Sequence, residues 1–321
     1  MSATLQRKPV DTRAFLICVV LCFIWGLQQV AIKAAADDFS TLLQVGVRSG
    51  ISFVLLYLYN HFFLHEKMNP DVKWVHGLLV GLCFSAEFVF VAEGIRYTSV
   101  AHMSVLLYTA PLFAAIGLSI RLPEERLSAV QWGGLLFAFF GLAIAFLLPV
   151  FLSGTSHGAT DLWWFGDLLG LLSGVAWGMT TVFLRTTSMT DAVPTQMLYW
   201  QLGVAFLTLT PLSFLMGEAH FESTTIAWSS LLFQAVIVSF ASYLIWCGLL
   251  RRYLAARLGV IVFLSPLFGV ILSIVLLGET VGLPFVVGSL CVLLGLIAVQ
   301  GDGHFRKLFS WRRIGIGRTT P

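Results

Sequence analysis

Three ionisable residues, Arg48, Glu87 and His102, stand inside otherwise apolar stretches of this chain. A charge at mid-bilayer depth costs about 2.5–3.5 kcal/mol on insertion scales, so each needs a reason to be there. At 1.5 Å per residue, Arg48 lies roughly 12 Å and Glu87 about 9 Å below the same membrane surface. His102 falls a few residues into the next helix on that side. An arginine suits a carboxylate, and an acid with a histidine suits an amine or a proton. The competing reading is structural: Arg48 and Glu87 pair and lock their helices together. Glu93, nearer the rim, reads as solvated.

Aromatic and amide residues form a second set. Trp25 and Trp177 are each followed by glycine, and Gln28 and Gln29 lie one turn beyond Trp25. Ser239, Ser242, Tyr243 and Trp246 recur at helical spacing and so share one face. A polar-aromatic face in an apolar helix turns toward a cavity, because lipid leaves hydroxyls unpaired. Tyr199 and Trp200 stand in the second half at the level matching Arg48 in the first. The candidate substrate-binding residues are therefore Trp25, Gln29, Arg48, Glu87, His102, Trp177, Tyr199, Trp200, Tyr243 and Trp246. Ordinary interhelical packing is the alternative for the rings. Trp163, Trp164 and Trp228, near helix ends, read as an interfacial belt.

The elements that must hold these residues are membrane helices. The 321 residues are 58% hydrophobic and 11% charged, too little charge to cover a soluble surface. Apolar runs of about 20 residues, enough for a ~30 Å hydrocarbon core, recur at 14–35, 40–63, 72–93, 98–120, 129–150, 163–185, 194–216, 226–249, 256–277 and 282–300. The first is too long for a signal peptide and is read as a retained helix. With the N-terminus cytoplasmic, 16 of the 19 basic residues fall on the cytoplasmic side, leaving Lys33 and Arg96 outside and Arg48 within a helix. That bias predicts ten helices with both termini cytoplasmic. The five cysteines lie in apolar runs with no metal spacing.

The stretch from Thr109 to Gly134 returns from Ser265 to Gly288. Pro111 aligns with Pro266, Glu124 with Glu279 and Gly133 with Gly288, while Trp25-Gly26 and Lys33 align with Trp177-Gly178 and Arg185. Each copy holds five helices, so the second enters the membrane upside down relative to the first. The expected fold is all-α, ten transmembrane helices in two inverted five-helix repeats, the arrangement that alternates access to a midplane site. Residues 1–152 form the first repeat, 153–162 a Gly/Ser/Thr-rich connection, 163–300 the second repeat and 301–321 a loosely ordered basic tail. Pro111 and Pro266 each remove a backbone hydrogen bond inside a helix and are expected kinks that gate the cavity. Glu124 and Glu279 are expected helix caps. Gly133, Gly134, Gly141, Gly288 and Gly295 make small-residue packing faces.

In this order, the string from Trp25 to Lys33, Arg48, and the run from Pro266 through Leu277-Gly278-Glu279 resemble the EamA-type drug/metabolite transporters over about residues 14–300. Pro123 departs from the family's glycine before the glutamate, as does the presence of acids in the third helix. The resemblance implies a bacterial inner-membrane transporter with a central cavity, often an exporter of amino acids or related metabolites. The expected function is secondary transport of a small metabolite, an amino acid or related zwitterion, outward by alternating access. Alternatives are a lipid flippase and an exporter of nucleosides or aromatic drugs. No zinc-protease, aspartyl, rhomboid or phosphate-binding motif is present, so the chain is not expected to be an enzyme. No channel-like repeated polar pore is visible. The expected partners are a small-molecule substrate, the lipid bilayer and protons. No nucleic acid, cofactor or metal is expected.

Overall fold

A computed structural model describes residues 7–98, 100–153, 162–277 and 282–315. Ten helices are long and apolar enough to cross a membrane. Spans 1 to 5 are Thr12–Ala34, Thr41–Leu64, Trp74–Gly94, His102–Arg121 and Ala129–Leu152; spans 6 to 10 are Trp163–Thr186, Pro194–Leu215, Thr225–Arg252, Ala255–Leu276 and Leu283–Gln300. Among the described residues there are no strands, only isolated bridges between loops.

Local sequence sets the helix starts. Asp11 caps span 1 by accepting the Ala14 N–H at 2.8 Å, and Thr224 caps span 8 through the Ala227 N–H at 3.1 Å. Both are preferred cap residues, because a short side-chain oxygen satisfies an orphan amide of the first turn. Span 5 starts with a reciprocal box: Gln131 N–H donates to Ser128 Oγ and Ser128 N–H to Gln131 Oε1. This corrects the expectation for Glu124, which is exposed and caps nothing; Ser128 and Gln131 do that work. Glu279 lies outside the described residues. At the far end, the last helix does not stop at Gln300 but runs from Leu283 to Gly315.

Spans 4 and 9 are broken rather than kinked. Span 4 is built from Val100–Leu107 and Ala110–Arg121, and span 9 from Ala255–Ile261 and Leu264–Leu277. Pro111 and Pro266 each sit in the first turn after the break. The proline lacks an N–H and clashes with the turn before it, so the chain tightens to three-residue turns: Thr109 N–H to Leu106 O and Phe263 N–H to Val260 O. Tyr108 and Phe263, each three residues before its proline, meet with ring centroids 6.5 Å apart. The two breaks thus meet through residues at equivalent positions of the two repeats.

The halves pack reciprocally. A Cβ added to Gly26 of span 1 would lie 2.8 Å from Phe268 Cβ of span 9, and one added to Gly178 of span 6 would lie 2.8 Å from Phe113 Cβ of span 4. Each half's first helix therefore lies against the other half's broken helix. Spans 5 and 10 meet through Gly134 against Gly295 and Gly141 against Gly288. That reciprocity matches Gly134, not Gly133, with Gly288. Gly133 faces open space, a one-residue shift that the loop between the helices introduces.

Candidate functional site

Arg48 is fully buried in span 2. One nitrogen, Nη1, donates to Gln234 Oε1 of span 8 at 3.0 Å, while Nε and Nη2 have no hydrogen-bond partner. The guanidinium carbon lies 5.4 Å from the centre of the Phe88 ring, within cation–π range. Glu87 of span 3 and the Tyr243 hydroxyl of span 8 are its nearest electrostatic neighbours. Glu87 is buried and accepts no hydrogen bond among the described residues. Two guanidinium nitrogens that meet no acceptor within hydrogen-bond geometry stand near the Tyr243 hydroxyl and the Glu87 carboxylate, and a buried charge left without partners is costly. The pair has the capacity to take a ligand bearing both signs.

Aromatic rings wall this pair. Trp25 Nε1 donates to Ser242 Oγ at 2.9 Å. The Trp25 ring packs edge-on against Tyr243 and Trp246, with centroids 6.2 and 5.4 Å apart, and Phe84 closes on Tyr243 at 6.0 Å. Trp246 also borders a small, half-open cavity with Pro111, Trp177, Gly178, Ala255 and Gly259. Trp177 stacks edge-on with Tyr108, 5.6 Å between centroids. The cavity thus opens beside both helix breaks.

Sequence spacing missed Gln234. Span 8 is a π-helix from Phe233 to Ser242. At 3.6 residues per turn, Gln234 and Tyr243 would face opposite ways. The wider i→i+5 turns make nine residues about two turns and bring both to the Arg48 side. A run of π turns leaves no periodic mark that an α-helical template detects.

Other expected residues fall elsewhere. Gln29 is exposed, and Gln28 is the amide that faces Tyr243. His102 does not meet Arg48 or Glu87: its Nδ1 lies 3.0 Å from Asp167 Oδ2 of span 6, and Asp167 Oδ1 accepts from Thr98 Oγ1 at 2.5 Å. Span 6 inserts beside spans 3 and 4 and takes the histidine. Tyr199 packs on Phe53 at 5.2 Å, and the Trp200 indole lies against Gly77 of span 3. Neither joins Arg48, because an inverted repeat places equivalent positions at opposite depths. Phe206 over Gly50 and Phe53 over Gly203 pair Arg48 with Gln201, whose amide is buried and bonded to Met197 O at 3.2 Å. Only the first repeat carries the charges.

A second buried cluster closes the face of the bundle that carries the N-terminal segment. Arg185, at the end of span 6, donates through Nη2 to Glu125 and through Nη1 to Leu250 O. Glu125 also accepts the N–H groups of Ala255 and Ala256, each at 3.1 Å, at the positive N-terminus of span 9. Burial raises the Glu125 carboxyl above its ordinary value, opposed by those two amides and by Arg7. Lys8 is stitched on outside, its N–H bonded to Arg252 O and its carbonyl to Leu254 N–H. Arg7 donates to Thr190 Oγ1 at 2.6 Å. Ala255, whose N–H Glu125 accepts, also lines the cavity.

Comparison with known proteins accords with this architecture. The EamA-like transporter family model matches residues 12–147 and 164–300. A probable amino-acid metabolite efflux pump of Salmonella typhimurium is 28% identical over 291 residues, covering 87% of this chain and 92% of that one. Its Escherichia coli namesake is 26% identical over 292 residues, covering 87% and 92%. An uncharacterized Bacillus subtilis transporter, YoaV, is 24% identical over 287 residues, covering 87% and 93%. A crystal structure at 18% identity superposes with a TM-score of 0.75 over 93% of this chain and 99% of that one, a likeness of fold alone. With two matched repeats and ten membrane helices, the chain belongs to the EamA-like transporter family and is a small-molecule transporter of the drug/metabolite type, not an enzyme.

Proposed function

We propose that this transporter moves a small zwitterion, an amino acid or a related metabolite, outward across a bacterial inner membrane by alternating access. The observation that carries this reading is Arg48, buried with Nε and Nη2 unpartnered, beside Glu87, which accepts no hydrogen bond among the described residues. A carboxylate on the arginine and an ammonium on the glutamate complete both groups, and charge-assisted bonds are the strong ones. Trp25 and Tyr243 pack beside the pair, Trp246 and Trp177 line the adjoining cavity, and these rings favour an apolar or aromatic side chain. The excess of Lys and Arg places the N-terminal face in the cytoplasm, so the Arg185–Glu125 closure stands on the cytoplasmic side. Two relatives named as amino-acid metabolite efflux pumps support the substrate class and the direction.

Pro111 and Pro266 act as matched gates, because the free turns before them are where each broken helix can swing. The test is a thermal-shift screen of purified protein against amino acids, nucleobases and amines. A ligand that binds the folded state raises its apparent stability by mass action. Stabilisation confined to amino acids is expected. Stabilisation by nucleobases alone, or by simple amines as strongly as by amino acids, overturns the reading.

A further inference from the structure

Gln234 is fully buried, and its three hydrogen bonds have a fixed direction. Gln44 Nε2 donates to the Phe39 carbonyl at 2.6 Å. A carbonyl can only accept, so Gln44 must turn its amide nitrogen there and its oxygen toward Gln234. Gln234 Nε2 donates to that oxygen at 2.7 Å and to Ser230 Oγ at 2.9 Å. Gln234 Oε1 is thereby committed to face Arg48 Nη1. An arginine only donates, so the relay is consistent from end to end. Beside it, Ser52 Oγ donates to Ala235 O at 2.8 Å and fastens the π-helical stretch of span 8 to span 2.

The nitrogen that Gln234 occupies decides what remains. With Nη1 held, the two unpartnered nitrogens are Nε and Nη2, which share one edge of the planar guanidinium. Two parallel N–H groups on one edge match the two oxygens of a carboxylate. Building on the reading of Arg48 as the substrate's anchor, we propose that Gln234 is a positioning residue. It holds Arg48 by Nη1 so that the Nε–Nη2 edge is presented to a substrate carboxylate, and it thereby sets the preference for a free carboxylate over a neutral headgroup. Gln234 belongs to the second repeat and Arg48 to the first, so the edge is aimed only while spans 2 and 8 keep this register.

The test compares binding of L-amino acids with binding of their α-amides to full-length purified protein, in wild type, Gln234→Met and Gln234→Glu. The amide keeps the ammonium and side chain and loses only the second carboxylate oxygen and the charge. Wild type is expected to prefer the acid. Gln234→Met is expected to reduce the acid-to-amide affinity ratio at least tenfold with amide affinity held. Gln234→Glu is expected to reduce it further, because its carboxylate neutralises Arg48. If Gln234→Met does not fold, Gln44→Met cuts the relay one step away and is expected to lower the same ratio by less. A purely packing role would weaken acid and amide equally, and an unchanged ratio in the variants overturns the proposal. A wild-type protein that binds amides as well as acids overturns the zwitterion reading too, so the two failures are told apart by the wild-type ratio.

Discussion

Two buried arginine–glutamate sets stand at opposite ends of this bundle, and they are finished differently. Glu125 takes Arg185 and two backbone amides, and Arg185 also reaches a backbone carbonyl, which leaves its Nε without a hydrogen-bond partner. Arg48 is held by the neutral Gln234, with the Tyr243 hydroxyl near, and leaves two nitrogens without a hydrogen-bond partner, while Glu87 accepts no hydrogen bond among the described residues. Desolvating an ion pair is expensive, and only extra hydrogen bonds offset it. The more fully bonded set therefore fastens spans 6, 8 and 9 and the turn after span 4. The sparsely bonded set is held open by its scaffold and has bonding capacity left for a guest. Both sets are buried and carry the same charge types, and on the proposed reading the count of satisfied atoms separates a fastening from a receptor.

The largest expected effect is on the more fully bonded set. Removing one partner of a buried ion pair costs about 3–5 kcal/mol, so Glu125→Ala should lower stability by that order in chemical denaturation. It should also speed hydrogen exchange around residues 250–258. Unchanged exchange there would mean that Glu125 does not fasten span 9. Next comes Arg48→Leu, which should weaken substrate binding by at least about 100-fold with little loss of stability, since few bonds hold the guanidinium. A loss of stability rivalling that of Glu125→Ala would erase the distinction between the two sets. Glu87→Gln should lower transport by about tenfold, as expected for a hydrogen bond to a charged group, and should flatten its pH dependence. Wild-type uptake with a wild-type pH profile would remove Glu87 from the site. The smallest effect belongs to Ser128→Ala, which removes a helix cap worth about 1 kcal/mol near Glu125. Melting should shift slightly while substrate affinity holds.

The open set was legible in the sequence and the more fully bonded one was not. Arg48 and Glu87 interrupt apolar runs, where any charge is conspicuous because lipid tolerates it poorly. Glu125 and Arg185 sit at helix ends, where charges are ordinary and solvated. Only the approach of four chain segments buries them, and no local pattern announces that. The repeat was legible from its prolines and first-helix tryptophans, but pairing by constant offset misplaced Tyr199 and Trp200. It also chose Gly133 over Gly134, since single-residue differences in loops shift the register from helix to helix. Gln234 and Asp167 were hidden for separate reasons, one by wide helical turns and the other by a tertiary contact with His102 across a helix boundary.

The meeting of Tyr108 with Phe263 bears on the energy difference between the two end states. Were the halves identical, turning the protein inside out would give back the same structure, and the two orientations would be equally populated. At this contact the mates differ by a phenol oxygen. That oxygen is a thumb on the scale, felt in one orientation and carried to the other side in its opposite. Tyr108→Phe would make these two mates alike, and the shift in resting population would measure what that one atom contributes to the difference between the end states.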